Sequence, residues 1–175
     1  METQTMQATD SKLKEFFVEQ LKDMYWAEKK LLKTLPKLQK AATTPALKDA
    51  FGNHFWQTET HIGRLEEVFG MIEEKVDDTK CPAMAGIVDE GADIIDDTEE
   101  GTAQRDVGLI FAGQKAEHYE IATYGGLETL ARIMGYPVAA DLLAQTLAEE
   151  KEADLLLTQI AENGINYRAS KELQG

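Results

Sequence analysis

The chain is poorest in whatever would cross-link it or anchor it in a membrane. It has one cysteine, Cys81, so no disulfide can form within it. No uninterrupted apolar run nears the ~20 residues that a membrane-spanning helix needs. The opening METQTMQATD lacks the basic and apolar regions of a signal peptide. These absences lead us to expect a cytoplasmic protein with no membrane partner. Basic residues are also scarce, with 18 Lys and Arg against 32 Asp and Glu and a net charge of −14. Such a surface is repelled by nucleic acid and by anionic lipid, which excludes both as broad partners, while it keeps the chain soluble and attracts cations. With only four prolines and 7% aromatic residues, the rest is rich in Ala, Leu, Glu and Lys, a composition that favours helix.

Hydrophobic periodicity divides the chain into helices. Residues 1–10 are polar and aperiodic and read as a tail. Asp10 or Ser11 can cap a first long helix, in which Leu13, Phe17, Leu21, Met24, Glu28, Leu31, Leu35 and Leu38 recur at steps of three and four up to about Ala42. Pro36 lies inside it and predicts a kink or a loosened last turn. Thr44 and Pro45 restart the chain as a second helix, with an inner face of Leu47, Phe51, Phe55 (or His54), Thr58, His61, Ile62, Leu65, Val68 and Phe69. Cys81 and Pro82 open a short helix in a crossover that ends in the acidic turn 96–101, read as solvated. A third long helix spans about Thr102 to Met134 and stops at Gly135, and Pro137 begins a fourth that ends at Asn163-Gly164. Gly125-Gly126 weakens the third helix by roughly 1 kcal/mol per residue relative to Ala, which suggests close helix packing there. Two helical pairs joined by a longer crossover form an all-α, ferritin-like four-helix bundle over residues 11–164, with an extra short helix in the crossover and a C-terminal tail over 165–175.

Several inner-face positions are not apolar. Glu28 interrupts the first helix, Glu117 and Glu120 the third, and Glu150 and Asp154 the fourth, with His61 near the same depth in the second. Ionised carboxylates gathered around one axis repel strongly and are costly to bury, and bound metal ions cancel that repulsion. From Glu28 to His61 is 33 residues, as is Glu117 to Glu150, a separation that levels two mid-helix residues across an antiparallel pair. The candidate metal ligands are therefore Glu28, His61, Glu117, Glu120, Glu150 and Asp154. An ordinary structural reading stands beside each: Glu28 paired with a base such as Arg64, His61 as a hydrogen-bonded core histidine, Glu120 and Asp154 rotated into solvent. His54 and His118 read as surface groups or groups behind the ligands, Glu149 and Glu152 as solvent-facing, and Met84 and Met134 as core filler. Tyr25, Tyr119 and Tyr124 read as packing residues that could also donate hydrogen bonds to a site.

The stretches Tyr25-Trp26-Ala27-Glu28-Lys29, Gln114 to Ala122 (QKAEHYEIA), Tyr124-Gly125-Gly126-Leu127, Gly135-Tyr136 and Thr146 to Lys151 (TLAEEK) resemble the YciE/YciF family of bacterial stress-associated proteins, from about residue 11 to 168. The resemblance implies a ferritin-like fold related to rubrerythrins, a homodimer, and a setting in stress response. In rubrerythrin-like proteins the di-metal centre takes one Glu from each odd helix and Glu-x-x-His from each even one. Glu28, Glu117 and Glu150 fit, but Ala153 stands where one histidine belongs and Thr58 precedes His61 where a glutamate belongs. His61, Glu59 and Gln57 remain the second-helix candidates. The interior carboxylates lead us to expect a divalent metal, iron or manganese, and an all-carboxylate second half using Glu120 and Asp154 would favour the harder ions manganese or Mg²⁺.

Overall fold

The computed structural model describes residues 11–173, so the segment read as an N-terminal tail lies outside the described residues. Five long helices follow in order: α1 (Lys12–Ala41), α2 (Pro45–Met71), α3 (Pro82–Asp97), α4 (Ala103–Ile133) and α5 (Pro137–Ile160). The Ser11 side chain accepts from Lys14 N, which decides the first cap in its favour. Helix α1 runs through Pro36 to Ala41, with Pro36 on the solvent side and Leu35 and Leu38 buried. Pro45 and Pro137 each occupy the first turn of a helix, where a missing N–H leaves no gap in the ladder. Gly135, at φ +84°, closes α4: Tyr136 N bonds Ala131 O at 2.9 Å and Gly135 N bonds Arg132 O at 3.2 Å.

Helices α1 and α2 form one antiparallel pair and α4 and α5 the other; α2 packs on α5 and α1 on α4, while α3 crosses over against α4 and α1. This is the expected four-helix bundle with a crossover helix. The α1–α2 corner is pinned by Asp106 in the first turn of α4, whose buried carboxylate accepts from Thr43 N (2.6 Å) and Thr44 N (2.9 Å). Tight helix approach occurs at Gly113, where an added Cβ would sit 3.0 Å from Leu157 Cδ1 and 3.4 Å from Phe51 Cε1. At Gly125 and Gly126 it does not: the nearest atom to an added Cβ is Leu147 Cδ2 at 3.9 Å, and Gly126 faces open space.

The bundle also continues past Gly164. The chain kinks at Asn163 and at Gly164 (φ +118°), then resumes as a short α6 (Asn166–Ala169). Ile165 is buried in the core, and the Glu172 carboxylate accepts from Ala103 N (2.7 Å) and Gln104 N (2.9 Å) at the start of α4. Packing thus reaches beyond the boundary placed at residue 164, because Ile165 returns an apolar side chain to the bundle and Glu172 satisfies orphan N–H groups of a helix N-terminus.

The apolar core is split. One cluster, built around Phe17, Leu21, Met24, Phe69, Met84, Leu127 and Leu143, fills one end of the bundle. Another, around Leu35, Leu38, Leu47, Phe51, Leu109, Leu157 and Ile165, fills the other. Between them lies a polar layer.

Candidate metal centre

Each bundle helix brings its polar residue to this layer by the same heptad-like register that buries its apolar ones. On α1, Glu28 follows Leu21 and Met24 and precedes Leu31 and Leu35. On α2 the buried face carries Leu47, Ala50, Phe51, His54, Thr58, His61, Leu65, Val68 and Phe69, so that His54, Thr58 and His61 follow Phe51 at steps of three and four. On α4 Glu117 and Glu120 lie one turn apart below Tyr124, and on α5 Glu150 follows Leu143 and Thr146. Glu28, Glu120, Glu150 and His61 have no exposed surface, Glu117 is 4% exposed and His54 6%.

These six side chains form two overlapping groups. His54, Glu117, Glu120 and Glu150 are one, and Glu28, His61 and Glu150 the other, with the ligand-capable atoms of each group within 4.8 Å of one another. Glu150 joins them: its Oε1 lies 2.8 Å from His61 Nδ1 and its Oε2 3.6 Å from His54 Nε2. Glu28 Oε1 stands 3.4 Å from His61 Nδ1, and Glu117 Oε1 3.4 Å from His54 Nε2.

Both imidazoles are oriented from behind. His61 Nε2 meets Glu149 Oε2 at 2.8 Å, and Arg64 holds Glu149 with two parallel bonds, Nη1 at 2.7 Å and Nη2 at 2.8 Å. His54 Nδ1 meets Gln57 Oε1 at 3.3 Å. In each ring one nitrogen is therefore tied to an acceptor and the other is aimed at carboxylates, the arrangement of a metal-ligating histidine whose remaining N–H is fixed by an outer partner. Tyr124 OH donates to Glu28 Oε1. Tyr25 and Tyr119 are engaged elsewhere: Tyr25 donates to Glu66, and Tyr119 donates to Asp23 and accepts from Cys81.

The electrostatics are those of a site short of positive charge. Burial, then repulsion from Glu150, holds the Glu117 and Glu120 carboxyls well above the usual range. Glu28 is raised by burial, against the pull of His61. Burial would also raise Glu150, but the imidazoles of His61 and His54 draw it below its ordinary value. His61 is opposed by burial, yet its contacts with Glu150 and Glu28 carry it up to about 10. Even so, Glu28 Oε2, His61 Nδ1, Glu117 Oε2 and both oxygens of Glu120 and of Glu150 lack hydrogen-bond partners; the 2.8 Å approach of His61 to Glu150 is an ion-pair distance without hydrogen-bond alignment. The layer could hold metal.

Of the residues expected at the site, Glu28, His61, Glu117, Glu120 and Glu150 come together. Asp154 does not. Its Oδ1 accepts from Gln114 Nε2 at 3.0 Å and lies 3.3 Å from the exposed His118, on the outer seam between α4 and α5. Fourth-helix residues three and four beyond Glu150 straddle the inner face, and Asp154 falls on the outer side of it. Glu28 is not paired with Arg64, which is engaged by Glu149; nor is Glu149 simply solvent-facing, since it also bonds His61. The ligand-capable residue that sequence reasoning passed over is His54, read as a surface group or a group behind the ligands, which the structure buries beside Glu117 and Glu150. The signal was its seven-residue spacing from His61 through Thr58, available once the inner face is drawn through His54 and not Phe55.

The chain is similar to proteins of known sequence and structure over most of its length. Residues 12–170 match the family described as a domain of unknown function, DUF892. Protein YciF of Escherichia coli K12 is 42% identical over 161 residues, 91% of this chain and 96% of that protein. The crystal structure of the E. coli stress protein YciF superposes with a TM-score of 0.85, covering 90% of this chain and 99% of the other. YcfI of Rhodopseudomonas palustris superposes with a TM-score of 0.81 at 28% identity, over 90% and 98% of the two chains. The chain thus belongs to the DUF892 family, together with the stress protein YciF.

Proposed function

We propose that the polar layer is a dinuclear metal centre, binding two divalent ions of iron or manganese, in a protein of the stress response. The observation that carries this reading is the set of unpartnered atoms. Each buried polar group without a partner costs about 1–3 kcal/mol, more when charged. Seven such atoms, on Glu28, His61, Glu117, Glu120 and Glu150, converge on one layer between two apolar clusters.

The donor count supports a pair of ions. In di-metal carboxylate bundles two helices give a Glu each and two give Glu-x-x-His, four carboxylates and two imidazoles in all. This chain holds the same donors, four Glu and two His, redistributed among the helices. His54 on α2 supplies the imidazole that Ala153 lacks on α5, and Glu120 on α4 supplies the carboxylate that Thr58 lacks on α2. Four carboxylates balance two divalent cations, and the two imidazoles favour iron or manganese over Mg²⁺. Glu150 faces both groups, its Oε1 toward His61 and its Oε2 toward His54, and would be among the residues that hold the ions.

When bound, such a pair supplies electrons for reducing dioxygen or a peroxide. The chain's own part is to hold the ligands between the two apolar clusters and to fix the imidazoles through Glu149 and Gln57. A homodimer in the cytoplasm fits this reading; an apolar groove beside the half-exposed Phe16, lined by Tyr119, Gly126 and Leu130, is a surface that a second copy could cover.

The decisive variant is Glu117→Ala. It should abolish stoichiometric metal binding, measured by elemental analysis, while circular dichroism still shows a folded helical protein. Unchanged metal content in that variant sinks the assignment. The competing reading is a non-enzymatic dimeric bundle whose layer is closed by protons and ion pairs, and it predicts that wild type and variant are equally metal-free.

A further inference from the structure

A cavity of about 210 Å³ opens between α2 and α5 and reaches the polar layer at His54 and Glu117. Its floor is His54 and Glu117, its inner wall the buried Phe51 and Leu157, and its mouth lies near the exposed Asn53 and Glu152. Ala153 lines it. Residue 153 is three beyond Glu150, on the same side of the helix one turn on, the place from which Glu-x-x-His would send in an imidazole. With a methyl group there instead, and the second imidazole arriving from His54 on the facing helix, that volume stays open.

The walls have a definite chemistry. Gln57, which also lines the cavity, accepts from His54 Nδ1 with its carbonyl oxygen, leaving its amide N–H₂ to donate. Phe51 and Leu157, also in the lining, are apolar and buried. A cavity of about 150 Å³ suffices for benzene, so the space exceeds what a two-atom oxidant requires. The nearby Glu117, Glu150 and Glu152 carboxylates disfavour an anionic ligand.

We propose that this cavity is a binding site for a small uncharged amphiphile, a molecule with one polar head and a short apolar body, with its head at the His54–Glu117 side of the centre and its apolar part along Phe51 and Leu157. Ala153 sets the bore. The inference rests on the dinuclear reading above.

The test uses the full chain loaded with Co²⁺, its stoichiometry measured first, and pyridine as the probe, an uncharged molecule with one donor atom and an apolar body. Pyridine should shift the visible Co²⁺ absorption saturably. Ala153→Leu should weaken that titration by about tenfold or more with Co²⁺ stoichiometry unchanged, and Leu156→Ala, which widens the mouth, should bind pyridine at least as well as wild type. A spectrum indifferent to pyridine, or equal pyridine binding by wild type and Ala153→Leu, overturns the ligand site while leaving the metal centre standing. Failure of wild type to take up Co²⁺ overturns the metal centre, and the ligand site with it.

Discussion

His61 shows how closely single side chains are committed to the layer. Its Nδ1 faces Glu28 and Glu150, while Nε2 is held by Glu149, itself clamped by Arg64 at 2.7 and 2.8 Å. Partners placed behind a metal ligand commonly change affinity by about 10–100-fold when removed. Glu149→Ala should therefore weaken metal binding by about that factor, read by competition with a chelator, without abolishing it as Glu117→Ala does. Equal affinity for Glu149→Ala and wild type would show that the imidazole needs no orienting group. At this scale the sequence was partly legible. Glu28, Glu117, Glu120 and Glu150 announced themselves because a charged residue in an apolar stripe breaks its own pattern. His54 did not, because Phe55 beside it is a plausible core residue and a one-residue rotation of the face exchanges the two. Asp154 misled for the same reason: Leu157 and Glu150 fix the face of α5, and residue 154 lies at its edge, close enough for periodicity to admit it and far enough for Gln114 and His118 to take it.

At the scale of elements, helix starts and stops were readable because their chemistry is local: Ser11, Pro45, Pro137 and Gly135 act within one turn. What was not readable depends on residues distant in sequence. Asp106 bonds Thr43 N and Thr44 N, and Glu172 bonds Ala103 N and Gln104 N, so each closes a corner by reaching across about 60–70 positions of chain. Such links carry no periodic signature, which is why the bundle was expected to end at Gly164. Asp106→Ala should destabilise the fold by about 1–3 kcal/mol for each N–H it orphans, seen as a lower denaturation midpoint with an unchanged slope. A midpoint within error of wild type would mean that water replaces the carboxylate at this corner.

At the scale of the whole molecule, the polar layer couples stability to protons and, in the proposed reading, to metal. Glu28, Glu117 and Glu120 are raised on folding above the ordinary carboxyl value of 4.5, so their stabilising contribution is complete below that value and is lost as pH rises through the raised ones. His61, raised from 6.5 to about 10, contributes in the same sense: fully below 6.5, declining as pH approaches 10. Glu150, lowered, acts oppositely and loses its contribution as pH falls. The raised groups outnumber it, so the metal-free protein should lose thermal stability as pH rises from mildly acid to alkaline, and metal should remove that loss by replacing the protons. A metal-free melting temperature that climbs across the same range would contradict the charge balance described. The proposed centre stands or falls on whether the layer binds metal at all. The most direct measurement is elemental mass spectrometry of the purified chain after supply of iron or manganese, before and after a chelator. The proposed dinuclear centre predicts a pair of ions per chain, removable by the chelator and absent from Glu117→Ala; no bound metal under either supply would contradict it.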